Sequence, residues 1–237
     1  MIFDLIYPRR CPVCNEVLPF GESGACPACL EKLSFVSQPV CMCCGKELKK
    51  SSFDNGQTEE YCSDCMCHKR SFLGGIALLN YNDGARKVMA GLKYKNRREY
   101  ADFLTEEMVK RHGRQILRLK AEAIVPVPIH KKRRRERGYN QAELLAKGLS
   151  RRLSIPVKTL LLRVENTTAQ KKLGYEERQK NEEKAFAATN CKGMGRVLLV
   201  DDIYTTGATA ESCTKALLSA GVSQVFLLNM AIGIRRN

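Results

Sequence analysis

The stretch that most restricts the fold is Arg196 to Thr209, R-V-L-L-V-D-D-I-Y-T-T-G-A-T. Val197–Val200 is a short apolar run with β-branched ends, which reads as a buried parallel strand. Asp201 and Asp202 follow at its carboxyl end. Tyr204–Thr209 reads as a turn of hydroxyls and small residues, and Ala210–Ala220 as a helix stopped by Gly221. In open α/β sheets ligands bind at the carboxyl ends of the strands, where helix N-termini direct free N–H groups outward. Thr205, Thr206 and Thr209 add hydroxyl donors there, Ala208 is small, and Gly207 lets the backbone come close. Such a turn suits a dianionic phosphate monoester. The two carboxylates suit the hydroxyls of a sugar on that phosphate, or a divalent metal.

Residues 1–69 hold ten of the twelve cysteines, eight of them in the pairs Cys11/Cys14, Cys26/Cys29, Cys41/Cys44 and Cys62/Cys65, with Cys43 and Cys67 spare. Each C-x-x-C is a knuckle whose sulfurs can face one tetrahedral metal, and two knuckles close a structural zinc site of four thiolates. Eleven residues separate the first two knuckles and seventeen the last two. Sequential pairing is the expectation, giving two structural zinc ions; interleaved pairing stays open, as does a ligand role for Cys43 or for Cys67–His68. A disulfide framework conflicts with the opening M-I-F-D-L-I-Y-P-R-R, which has no basic region before its apolar residues and no small-residue cleavage site. The expectation is a cytoplasmic protein that does not span a membrane, with a cysteine-rich domain at 1–69 and an α/β domain at 70–237.

The formal charge of the 237 residues is +15. Two zinc sites of four thiolates would bring it to about +11. A basic surface favours nucleic acid or acidic phospholipid. Lys93, Lys95, Arg97 and Arg98 are interleaved with Tyr94 and Tyr100, a pattern that suits stacking on single-stranded bases with phosphate contact, unless the tyrosines pack inward. A second basic run, Lys131–Arg137, puts Lys132 and Arg133 beside Lys131 at the rim of the next strand. The remaining pattern predicts strands at Ile76–Tyr81, Ala123–Val127, Val157–Arg163 and Val225–Ile234. Helices are expected at Asp83–Leu92, capped by Asp83, at 99–119, and from Arg137-Gly138 to about Leu153. Two polar stretches, 46–60 and 164–186, read as an exposed arm and a mobile functional loop.

Residues 196–209 resemble the phosphoribosyl-pyrophosphate (PRPP) motif of type I phosphoribosyltransferases. Nearly the whole chain is similar to the ComF family of late-competence proteins. The resemblance is carried by the four knuckles, by Tyr81 with Leu92-Lys93-Tyr94, and by Val125–Pro128 with Arg137–Ala142. Arg163, Thr168, Gln170, Arg178, Asn181 and Phe186 extend it, and Val200–Thr209 closes it. Cys41-Met-Cys43-Cys44 departs from the plain knuckle. The resemblance implies a type I phosphoribosyltransferase-like (Rossmann-like) parallel sheet flanked by helices, plus a double zinc ribbon. It implies PRPP with magnesium at Asp201, Asp202 and residues 204–209. Cations of the 131–137 loop, Arg137 among them, would face the pyrophosphate and offset its charge. Asp201, Asp202 and Arg137 would be the catalytic positions if a pentosyl group is transferred at all. The implied role is DNA uptake in natural transformation, acting on single-stranded DNA beside a helicase-like motor and reaching the inner face of the membrane through partners. A metabolic phosphoribosyltransferase acting on a small base or amine, and a PRPP-sensing regulator without turnover, are the alternatives.

Overall fold

The apolar runs become strands of one parallel sheet, since strands covered on both faces need no polar alternation. The computed structural model describes residues 8–48, 60–164 and 185–233. The strands are β1 (Gly74–Asn80), β2 (Ala123–Pro126), β3 (Leu161–Arg163), β4 (Phe186–Ala188), β5 (Arg196–Tyr204) and β6 (Gln224–Ile232). The helices are α1 (Pro27–Leu30), α2 (Ser63–Cys67), α3 (Asp83–Tyr94), α4 (Tyr100–Arg118), α5 (Lys131–Arg137), α6 (Gln141–Leu153) and α7 (Ala208–Ser219). The order β1-β6-β5-β2 is parallel throughout, and β3-β4 is a separate antiparallel pair. All four carboxyl ends therefore lie along one edge. Asp201 and Asp202 come up in the middle of it, on β5.

Successive side chains of a strand point to opposite faces. Leu198 and Val200 of β5, with Leu228 and Met230 of β6, join the core built on α3, α4 and α6. Val197, Leu199, Val225 and Leu227 join the core that holds α7 through Cys213 and Leu217. The cysteine-rich segment divides between these faces. Val13 and Ala25, beside the first two knuckles, pack on the α4 side. Cys41, Cys44 and Cys62 belong to the core on the α7 side. Between them, residues 34–36 run antiparallel along β1, with Val36 N–H on the Leu78 carbonyl (3.0 Å) and Asn80 N–H on the Ser34 carbonyl (2.8 Å). The third knuckle comes so near β1 that a Cβ on Gly75 would lie 2.7 Å from the Cys44 carbonyl oxygen.

Some boundaries differ from expectation. The N-cap of α3 is Asn82, whose Oδ1 accepts the Ala85 N–H; Asp83 falls in the first turn and pairs with Arg86. The basic run is a helix of its own rather than a loop. Gly138 ends it in the left-handed conformation (φ +78°), with its N–H on the Arg134 carbonyl, and Asn140 then caps α6. Arg137-Gly138 thus closes one helix instead of opening the next. The predicted strand Val157–Arg163 divides because it has two partners: Val157 bridges to Ile124 of β2, whereas Leu161–Arg163 pairs with β4. Tyr204 is the last residue of β5, and α7 starts at Ala208. Most of both polar stretches lies outside the described residues, and with them Thr168, Gln170, Arg178 and Asn181. Among the described residues no helix is long and apolar enough to cross a membrane.

Candidate functional site

Two groups of four cysteines come together: Cys11, Cys14, Cys26 and Cys29, and Cys41, Cys44, Cys62 and Cys65. Within each group every sulfur lies within 4.8 Å of the others. A zinc tetrahedron with bonds of about 2.3 Å has edges of about 3.8 Å. The Cys14–Cys26 and Cys44–Cys62 sulfurs are 3.9 and 3.7 Å apart, so both groups fit structural zinc. The pairing is sequential, Cys43 and Cys67 stand outside the tetrads, and all twelve cysteines are free of disulfides.

At the carboxyl end of β5, Asp201 Oδ1 accepts the Asp202 N–H at 2.8 Å. Lys93, on the last turn of α3, brings its ammonium 3.0 Å from Asp202 Oδ2. The side chains of that pair are 18% and 6% exposed. Burial, with the neighbouring Asp202 carboxylate, pushes Asp201 up to about 8, against the pull of the Asp202 N–H and of Lys93. Thr205 and Thr206 are exposed beyond the pair, while Ala208 and Thr209 are half-buried at the start of α7. Gly207 has φ +78°, and a Cβ there would lie 2.7 Å from Tyr204 Cζ. Tyr204 itself is buried, edge-on to Phe72. It supports the turn from below and offers it no exposed group.

The cations are distributed more widely than the sequence suggests. Lys93 turns inward to Asp202. Lys95 and Arg98 are exposed, and Arg97 lies 3.7 Å from Glu99. Arg98 stacks on Tyr139 and Arg137 on Tyr94, at 4.6 and 5.5 Å from the ring centres. Tyr94 is 77% exposed whereas Tyr100 is 4% exposed, so one tyrosine is available to a ligand and the other is core. Lys93, Tyr94, Arg133, Arg137 and Tyr139 line one cavity of about 460 Å³. Lys131 and Lys132 line a separate, more open one. Arg134 is committed to Glu143 through two contacts of 2.6 and 3.1 Å.

Sequence reasoning gave no role to Arg70, Asp64, Ser71 or Glu211. Arg70, its side chain 4% exposed, donates to Asp64 Oδ2 at 2.8 Å and to the Thr206 carbonyl at 2.9 Å. Ser71 donates its N–H and its hydroxyl to Glu211. These partners lie 136 and 140 residues apart in the chain, and no local spacing announces them.

A family model described as a double zinc ribbon domain matches residues 2–66. Competence protein F of Haemophilus influenzae is 32% identical over 181 residues, covering 73% of this chain and 78% of that protein. Competence protein ComFC of Bacillus subtilis is 29% identical, covering 68% of this chain and 67% of that protein. DNA utilization protein YhgH of Escherichia coli K12 is 27% identical, covering 69% and 74%. Among solved structures, the purine phosphoribosyltransferase from Pyrococcus horikoshii overlaps 55% of this chain and 74% of its own, with 17% identity and a TM-score of 0.37. The glutamine PRPP amidotransferase of B. subtilis overlaps 56% of this chain and 26% of its own, with 18% identity and a TM-score of 0.37. At such overlap the sheet order, not the likeness, defines the fold.

Proposed function

The chain belongs to the competence protein F (ComF) family, and on that premise we propose that it handles incoming single-stranded DNA during natural transformation and carries a PRPP site at Asp201 and Asp202. The observation that carries this reading is the Lys93–Asp202 pair. Through Lys93 it joins the acidic strand end to the basic, aromatic cavity of Tyr94, Arg133 and Arg137, so that the proposed phosphosugar site would adjoin a cationic surface. Thr205, Thr206, Ala208 and Thr209 would take the phosphate monoester of PRPP. Asp201 and Asp202 would take the ribose hydroxyls and hold magnesium, whose oxygen-ligand chemistry the two carboxylates fit. Magnesium would neutralise part of the pyrophosphate charge, and Arg137, on the cavity wall, would face the same charge. Lys95, Arg97, Arg98 and Arg133 would follow the DNA backbone, with Lys131 and Lys132 at its rim. The ribbons of residues 1–69 would serve the 70–237 domain as a fixed support, and a helicase-like motor on the cytoplasmic side would deliver the strand.

Asp201→Ala with Asp202→Ala removes contacts worth about 1.5–3 kcal/mol each, so PRPP affinity by calorimetry should fall more than about tenfold while oligo-dT binding stays. Replacing Lys95, Arg97, Arg98 and Arg133 with Ser should do the reverse. Each phosphate contact adds about −0.7 to the slope of log affinity on log salt, so four should account for about −3. Unchanged PRPP affinity in the first variant removes the proposed ligand site, and an unchanged slope in the second removes the proposed DNA path.

PRPP binding should also depend on pH. If ribose contacts need the Asp201 carboxylate, then with that group held at about 8 only about a tenth is ready at pH 7 and about nine-tenths at pH 9. Affinity should rise roughly tenfold over that interval, and Asp201→Asn should abolish the rise. The linkage to folding has the opposite sign. The folded-state value is raised, so the stability this group contributes is fully present below its unfolded value and is lost as pH passes upward through about 8. A flat affinity profile from pH 7 to 9 would remove Asp201 from the contact set.

A further inference from the structure

The eight residues from Asp64 to Ser71 connect the last zinc knuckle to the threonine-rich turn at two points. Asp64 lies between Cys62 and Cys65, both members of the second tetrad, so closure of that tetrad around a metal sets its position. Asp64 holds the buried Arg70 guanidinium at 2.8 Å, and the same nitrogen, Nη2, reaches the Thr206 carbonyl at 2.9 Å. Next in the chain, Ser71 holds Glu211 in the first turn of α7 through its N–H at 2.9 Å and its hydroxyl at 2.5 Å. The turn is thus gripped before and after Gly207. In a planar trans peptide the carbonyl and the N–H point in opposite directions. Fixing the Thr206 carbonyl on Arg70 therefore fixes the Gly207 N–H on the side away from Arg70, at the residue where the backbone takes its left-handed step.

We propose that Arg70 is a positioning residue that couples the second zinc site to the phosphate-binding turn, so that metal occupancy at Cys41, Cys44, Cys62 and Cys65 and ligand binding at residues 205–209 reinforce each other. The ligand half of this rests on the PRPP reading; the coupling of zinc to the turn does not. If the knuckle opens, Asp64 leaves its place, the buried guanidinium loses its counter-charge, and the Thr206 carbonyl loses its donor. A buried charge stripped of its partner is unfavourable and does not stay in place, so the turn loosens with it. Linkage is reciprocal: whatever factor zinc contributes to ligand affinity, the ligand returns to zinc affinity.

The test compares wild type with Arg70→Gln and Arg70→Lys. Zinc content is checked by elemental analysis, amide exchange is followed at residues 205–211 with β6 as internal reference, and zinc release to a chelating dye is followed with and without magnesium–PRPP. The expected result for Arg70→Gln is zinc content unchanged, roughly tenfold faster exchange in the turn with β6 unchanged, roughly tenfold weaker PRPP binding, and no effect of PRPP on zinc release. Arg70→Lys, which keeps the charge beside Asp64, should recover part of each. In wild type, saturating PRPP should slow release of one of the two zinc ions. Wild-type exchange in the turn of Arg70→Gln overturns the proposal. If wild type fails to bind PRPP, the functional reading falls, yet the exchange comparison still decides the coupling. If Arg70→Gln does not fold, wild type decides: exchange at 205–211 must rise on chelation while β6 stays protected, and an unchanged turn overturns the proposal.

Discussion

Cys44→Ser should lower the zinc content from two per chain to one and bring the thermal midpoint down by about 8–20 °C. Cys44 and Cys41 are each 1% exposed and share a core with Val197 and Leu199 of β5 and Leu217 of α7. Losing this site therefore opens one face of the central sheet as well as a ribbon. Losses of a structural metal are among the few single changes that exceed about 4–5 kcal/mol. In a chain of this size each kcal/mol moves the midpoint by about 2–4 °C. Cys14→Ser is the contrast. Cys14 is exposed, and the first tetrad packs a small cluster of Cys11, Leu18 and Cys29. It should also lose one zinc, but the midpoint should fall by less than half as much. Elemental analysis with scanning calorimetry of the two variants settles this. Equal shifts would show that the second ribbon does not stabilise the sheet.

Gly207→Val should abolish PRPP binding within the range calorimetry can follow, a drop of more than about a hundredfold. Two costs act at one position. A side chain at φ +78° incurs the left-handed penalty of about 1–2 kcal/mol. Its Cβ would also press into the Tyr204 ring, which is buried against Phe72, and overpacking a filled core costs about 1–3 kcal/mol more. The cheapest relief is for the turn to leave its conformation, which carries Thr205, Thr206 and Ala208 away from the ligand. The melting midpoint should move by only a few degrees, because β5 and α7 keep their packing. Retained PRPP affinity would mean that the turn does not bind the phosphate in this shape.

Much of this was legible in the residues. Val197–Val200 has no polar interruption, and only a strand covered on both faces tolerates that, so the parallel sheet followed. Each C-x-x-C is local geometry, and the two gaps are long enough to bring neighbouring knuckles together, so the tetrads followed as well. The errors have a common cause in contacts between distant segments. Lys93 stands with Lys95, Arg97 and Arg98 in the sequence, but it sits on the last turn of α3, within reach of a carboxylate more than a hundred residues later. Tyr204 looks like part of a hydroxyl-rich turn, but it ends β5 with its ring buried against Phe72 in the core on the α7 side, opposite to the face that plain alternation from Val200 would give it. Gly138 looks like the start of a helix, because the basic run before it carries no periodicity that reveals a helix ending there. Arg70, Ser71 and Glu211 carry no signature, because their partners are defined only once the sheet has formed.

The short run along β1 has a consequence for a metal-starved cell. An uncovered strand edge is a template on which another chain can pair. Here the cover is Ser34–Val36, the segment joining the two ribbons, and its place depends on knuckles at both of its ends. A chain that emerges before zinc is available leaves that cover untethered, with the run Ile76–Leu79 beside it. Inclusion bodies from zinc-limited cultures, dissolved when the metal is restored early in expression, are the outcome this edge predicts.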